Sequence, residues 1–116
     1  MGLRIEYIPN NSLISAIDGQ PVAMRNQHDG TIKVDRQLMQ QEFTTGAYLE
    51  TKNSEPSNPK FDNFEDWITF SLMREAMHNV YRRHYGESKF DYETRINNEA
   101  LRRTVGIVND LNPRIN

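Results

Sequence analysis

The pattern of apolar and polar positions changes period near the middle of the chain. In residues 3–9, LRIEYIP, the two kinds alternate as far as Pro9, which is the signature of a strand. NNSLISAIDGQP follows, a turn-rich link containing Asp18-Gly19. PVAMRN and TIKVD then flank QHDG, a pattern that predicts a β-hairpin with Asp29-Gly30 at the turn and His28 as a turn residue. In DRQLMQQEF the apolar Leu38, Met39 and Phe43 fall at helical spacing, and Asp35 is placed to cap that helix. Residues 44–60 are rich in Thr, Ser, Asn, Pro and Gly, and are expected to form an exposed surface loop.

Helical periodicity dominates the second half. NFEDWITFSLMREAMHNVYRRHY is expected to be one helix over 64–85, capped by Asn63 or Asp62 and stopped at Gly86. At about 100° per residue from Phe64, a broad apolar face covers Phe70, Leu72, Met73, Ala76, Met77, Val80 and Tyr81. Ser71, Arg74, Glu75, His78 and Arg82 form a narrow polar stripe on the other side. Phe64, Trp67 and Ile68 border that stripe at its N-terminal end, which a fully solvated face would not need. A last helix is predicted over 88–104. The fold class is α+β: a small sheet from 3–9, 21–26 and 31–35, containing a hairpin, packed on about three helices. Residues 1–105 form a single domain on this reading, and 106–116 a C-terminal tail that orders on a partner.

Composition narrows the function classes. The 116 residues suffice for one small core. Net charge is −2, with basic residues interspersed among acidic ones, so no basic stripe points to nucleic acid. There is no cysteine, which removes thiol catalysis and Cys-type zinc sites. No apolar run approaches the roughly 18 residues of a membrane span. The N-terminus lacks the apolar core of a secretory signal, and Glu6 stands where a myristoylation motif has Ser or Thr. A soluble chain that is not secreted is expected.

The candidate chemistry lies in residues 74–78, REAMH. These match the metal signature HExxH except at the first histidine, which is Arg74. In the intact signature two histidines one helical turn apart hold zinc, and the Glu activates the bound water. Glu75 and His78 occupy the positions of that general base and second ligand. Arg74 has no lone pair to give a metal and brings a positive charge instead. His84 follows His78 at the spacing of a third histidine ligand, but Tyr81 stands where that arrangement needs a sharp Gly turn. A helix C-terminal role is expected for His84. Glu87 and Asp91 form an acidic pair one helical turn apart, while Ser88 and Asp91 also read as a capping box.

Residues 64–101 resemble a zincin-like peptidase segment of tailed-bacteriophage proteins, in which a HExxH helix precedes EGES-x-x-DYE-x-RIN-x-x-AL. The chain carries Gly86, Glu87, Ser88, Asp91, Tyr92, Glu93, Arg95, Ile96, Asn97, Ala100 and Leu101 of that pattern. IEYIP, GQPV, TIKVD and RQLMQQEF sit where the family places its upstream elements. The resemblance implies a zincin-like minidomain with a degenerate site. Glu75 would be a vestigial general base, and His78 and Glu87 vestigial metal ligands, with Asp91 or Glu93 as alternatives to Glu87. Arg74 would pair with a carboxylate of Glu75, Glu87, Asp91 or Glu93, in an ion cluster that fills the site without a cofactor. The implied function is binding of a viral or host protein, in the virion or the host cytoplasm, with no catalysis. A weak zinc-dependent metallopeptidase is the alternative.

Overall fold

The computed structural model describes residues 3–50 and 55–111, the last five of these by backbone alone. The fold is α+β, and the described residues form a three-stranded mixed sheet and three α-helices. The chain divides into two compact units, residues 1–48 and 49–116. The boundary falls within the stretch expected as a loop, of which residues 51–54 lie outside the described residues.

The first unit holds strands β1 (Arg4–Tyr7), β2 (Met24–Asn26) and β3 (Thr31–Val34), followed by helix α1 (Arg36–Thr45). The hairpin forms as its turn residues dictate. β2 and β3 pair antiparallel, with Met24 opposite Val34 and Asn26 opposite Ile32. His28 and Gly30 take positive φ at the turn. The Asn26 and Asp29 side chains accept from the backbone N–H groups of His28 and Thr31. β1 lies on the other side of β3 and runs parallel to it, giving the order β1-β3-β2. Only β3 is central, and Ile32 and Val34 are fully buried. Leu13, Met39 and Tyr48 are also buried in this unit.

Asp35 fixes the step from β3 to α1. Its carboxylate caps α1 by accepting from Leu38 N at 3.0 Å. It also accepts from Asn11 N at 2.7 Å and from Asn10 Nδ2 at 3.1 Å. One buried side chain thus ties the link after β1 to the start of α1. Gly46, at φ 81°, closes the helix in the left-handed conformation.

The second unit is built on helices α2 (Phe64–Val80) and α3 (Lys89–Leu111), which pack on each other. Asn63 caps α2 by accepting from Asp66 N at 2.9 Å. Ser88 does the same for α3, accepting from Asp91 N at 3.0 Å. Phe70, Ile96 and Ala100 are fully buried, and Trp67, Ile68 and Met77 nearly so.

Three helix expectations are corrected here. α2 ends at Val80 rather than 85, because Tyr81 takes an extended conformation, φ −92° and ψ 128°. The freed carbonyls are met from α3: Tyr92 Oη donates to Tyr81 O at 2.6 Å, and Arg95 Nη2 to Arg82 O at 2.8 Å. Those donors lie more than ten positions away, so helical periodicity could not register them. Consequently His84 sits in a turn beyond the helix, not at its C-terminus. Gly86, at φ 78°, serves that turn, where Glu87 N donates to His84 O. At the other end, α3 continues through Gly106 to Leu111, over residues expected to start the tail; residues 112–116 lie outside the described residues.

The third correction concerns how far the covered face of α2 extends: Phe70 and Met77, on the predicted apolar face, are buried as expected. Val80, on the predicted apolar face, is 68% exposed. Arg74, Glu75 and His78, on the predicted polar stripe, are all more than half buried. α3 presents Glu93 and Asn97 among its buried residues, and a polar stripe can be buried where it meets polar partners.

Candidate functional site

The site is a half-buried polar layer between α2 and α3. α2 places Arg74, Glu75 and His78 on one side through helical spacing alone. α3 brings Glu93 to meet them. His78 Nε2 and Glu93 Oε2 lie 2.9 Å apart, a hydrogen bond with both side chains largely buried. The other ring nitrogen, Nδ1, is 3.8 Å from Glu75 Oε2. Arg74 Nη2 reaches Glu75 Oε1 at 3.5 Å, a long and weak contact. The acids and bases therefore run in a chain: Arg74, Glu75, His78, Glu93.

Tyr92 supports this chain from the next position of α3. Its ring meets the His78 ring edge-on at 5.8 Å between centroids. Burial, reinforced by the neighbouring Glu93 charge, pushes the Tyr92 phenol above its ordinary pKa. The phenol so remains a donor, and it holds the Tyr81 carbonyl. Asn97, one turn beyond Glu93, is buried, and its side-chain amide meets no hydrogen-bond partner among the described residues.

The other two expected acids are placed elsewhere. Glu87 accepts two bonds from Arg95, from Nε and Nη2, both at 3.0 Å. The Arg95 bonds and the His84 N–H hold the Glu87 carboxyl well below its usual range, at about 2. Arg95 also lies over the Tyr92 ring, 5.4 Å from its centroid. Glu87 thus ties the turn after α2 to α3. Asp91 is exposed in the first turn of α3, at the capping-box position. Of the three candidate acids, Glu93 alone is brought to His78. Sequence reasoning passed over Tyr92, Arg95 and Asn97 as site residues. Helical spacing offered a signal for Asn97, which is four residues after Glu93 and so on its face.

These donors do not fit a zinc ion. Zinc requires three protein donors aimed at one point. His78 Nε2 and Glu93 Oε2 meet, but Glu87 is engaged with Arg95 and Asp91 is exposed in the first turn of α3. Position 74, one turn before His78, carries a guanidinium. Among the described residues no three His, Asp or Glu side chains converge as a metal set. What the layer can do is fix the two helices through a charge-assisted pair.

That role has a measurable consequence. Glu93→Ala is expected to cost about 1–3 kcal/mol, because it leaves the half-buried His78 Nε2 without its partner. Asp91→Ala, at an exposed site, should cost less. Urea unfolding of Glu93→Ala, His78→Ala and the double variant gives the coupling. Additive losses would show that the pair contributes nothing of its own.

No family model, curated protein or solved structure matches the chain.

Proposed function

We propose that this chain is a catalytically silent zincin-like domain, of the kind carried by tailed phages, which acts by binding a viral or host protein. One observation carries the reading. The histidine nitrogen that a zincin would offer to zinc is bonded to Glu93, beside an arginine at the position of the missing ligand. A guanidinium cannot coordinate a cation and repels one nearby. On this reading the layer serves as a structural pin between the two helices, and recognition falls to the rest of the scaffold. In support, the acid that meets His78 belongs to the DYE segment on which the resemblance rests.

Arg74→His tests the reading. It places two histidines one turn apart with Glu75 between them and Glu93 opposite. Zinc should then raise the melting temperature of the variant and leave the natural chain unchanged. Free zinc at about 100 times Kd adds roughly 2.7 kcal/mol. Adding His78→Ala to the variant should abolish the gain. Equal responses of the variant and this control would mean that the face never had ligand geometry. Binding of the viral or host partner should survive Glu75→Gln in the natural chain. Zinc-dependent peptide hydrolysis by the natural chain, lost on Glu75→Gln, would replace this reading with a metallopeptidase.

A further inference from the structure

Strand β1 is an edge with its apolar side uncovered. Its parallel register sets Ile5 beside Ile32 and Tyr7 beside Val34. Side chains of neighbouring strands at matched positions share a face. Leu3, Ile5 and Tyr7 therefore continue the face on which Ile32 and Val34 are buried. Yet Leu3 is 45%, Ile5 38% and Tyr7 56% exposed. Arg4 and Glu6, on the opposite face, are exposed as well.

The backbone of β1 is half used. Arg4 N donates to Gly30 O at 2.7 Å and Ile8 N to Val34 O at 3.0 Å. Even-numbered residues thus turn their polar groups toward β3. By strand alternation, Ile5 and Tyr7 turn their N–H and C=O groups to the open edge, where they meet no partner among the described residues. Such a row is a template for another strand.

We infer that this edge pairs with β1 of a second copy of the chain, antiparallel, with the two-fold axis at Ile5. The sequence is complementary to itself in that register and in no neighbouring one. Ile5 meets Ile5 of the second copy, and Leu3 meets Tyr7. Arg4 meets Glu6, and by symmetry Glu6 meets Arg4, so each charge faces its opposite. Sliding the register by two residues in either direction keeps apolar against apolar but sets Glu6 against Glu6 or Arg4 against Arg4, so the charges fix the register. The hydrogen bonding agrees independently. Ile5 carries outward N–H and C=O groups, so two facing Ile5 residues exchange both bonds, as an antiparallel bonded pair requires. Arg4 and Glu6 then fall at the non-bonded positions, where cross-strand side chains approach most closely. Edge strands are commonly protected by a like charge that repels its own copy. Here the two charges alternate in sign and attract it. The three-stranded sheet becomes six-stranded, and Leu3, Ile5 and Tyr7 cover one another across the axis. A seam this short belongs with weak interfaces, so the dimer forms reversibly.

Sedimentation equilibrium of the full chain, from micromolar to millimolar, reads the dimer directly. The natural chain should move from monomer to dimer mass as concentration rises. Arg4→Glu sets acid against acid at both symmetric positions, and Glu6→Arg sets base against base. Each should weaken the dimer by about tenfold or more. The double variant R4E/E6R restores the pairing in reverse and should dimerise like the natural chain. An equimolar mixture of the two single variants should form a heterodimer that neither forms alone. Circular dichroism confirms that each variant is folded; the double variant and the mixture carry the test if one single variant is not. A natural chain that stays monomeric throughout overturns the inference. So does a dimer indifferent to both single variants, which would place the interface elsewhere, and so does folded protein in which neither double variant nor mixture recovers the dimer.

Discussion

Replacing Asp35 with alanine is expected to remove about 2–4 kcal/mol of stability, a large share of what a domain of this size holds. The side chain is fully buried. It caps α1 through Leu38 N, and it also satisfies Asn11 N and the Asn10 amide. Losing a helix cap alone costs about 1 kcal/mol. The remainder comes from the lost bonds to the Asn11 N–H and the Asn10 amide, at about 0.5–1.5 kcal/mol each. Asp35→Asn keeps the shape and should cost less. Burial pushes the Asp35 carboxyl up, but hydrogen bonds from Leu38, Asn11, Asn10 and Gln37 outweigh it, so the pKa lies below its ordinary 3.8. A depressed carboxyl contributes stability that is complete above its unfolded pKa and is lost as pH falls through the folded one. Glu87, held at about 2 by Arg95, acts in the same direction. Stability should therefore fall on acidification below about pH 4.5, toward pH 2. Asp35→Asn should flatten that slope. Urea midpoints across this range, compared with pH 7, read both effects, and an unchanged slope would rule out the linkage.

Phe70→Ala is expected to cost about 3–5 kcal/mol. Phe70 is fully buried on α2, and its ring lies 5.3 Å from that of Phe61. Truncation removes the burial of the ring and leaves a cavity that the surrounding helices close only in part. Val80→Ala provides the contrast. Val80 lies nearly three turns later on the same helix and is 68% exposed, so its loss should stay within about 0.5 kcal/mol. Comparable losses at the two positions would show that burial along this face extends to the C-terminal end of α2. Thermal or urea unfolding decides between them.

The contrast between Phe70 and Val80 shows how far the sequence could be read. Both belong to the face that 100° steps mark as apolar, but one is core and the other surface. Trp67 and Ile68, which border the polar stripe at its N-terminal end, gave the better indication of the covered side. The same limit applies at the site. Arg74, Glu75 and His78 were legible as a group because a helix fixes their spacing. The acid facing His78 was left open among Glu87, Asp91 and Glu93, since all three sit within two turns of the start of α3. The choice turned on Arg95, which takes Glu87, and on Ser88, whose cap leaves Asp91 at the exposed first turn.

By itself the sequence determined what short-range chemistry controls. The period change gave strands followed by helices. Asp29-Gly30 gave the hairpin, and Asp35, Asn63 and Ser88 gave the three helix starts, because turns and caps are completed within a few residues. Only the tertiary structure decided that β1 runs parallel to β3, that α2 stops at Val80, and that Glu93 meets His78. Each of these rests on partners far along the chain: β3 for β1, Tyr92 and Arg95 for the carbonyls after α2, and one helix packed on another for the His78 pair. Periodicity reports which residues share a face; what that face meets is set by the fold.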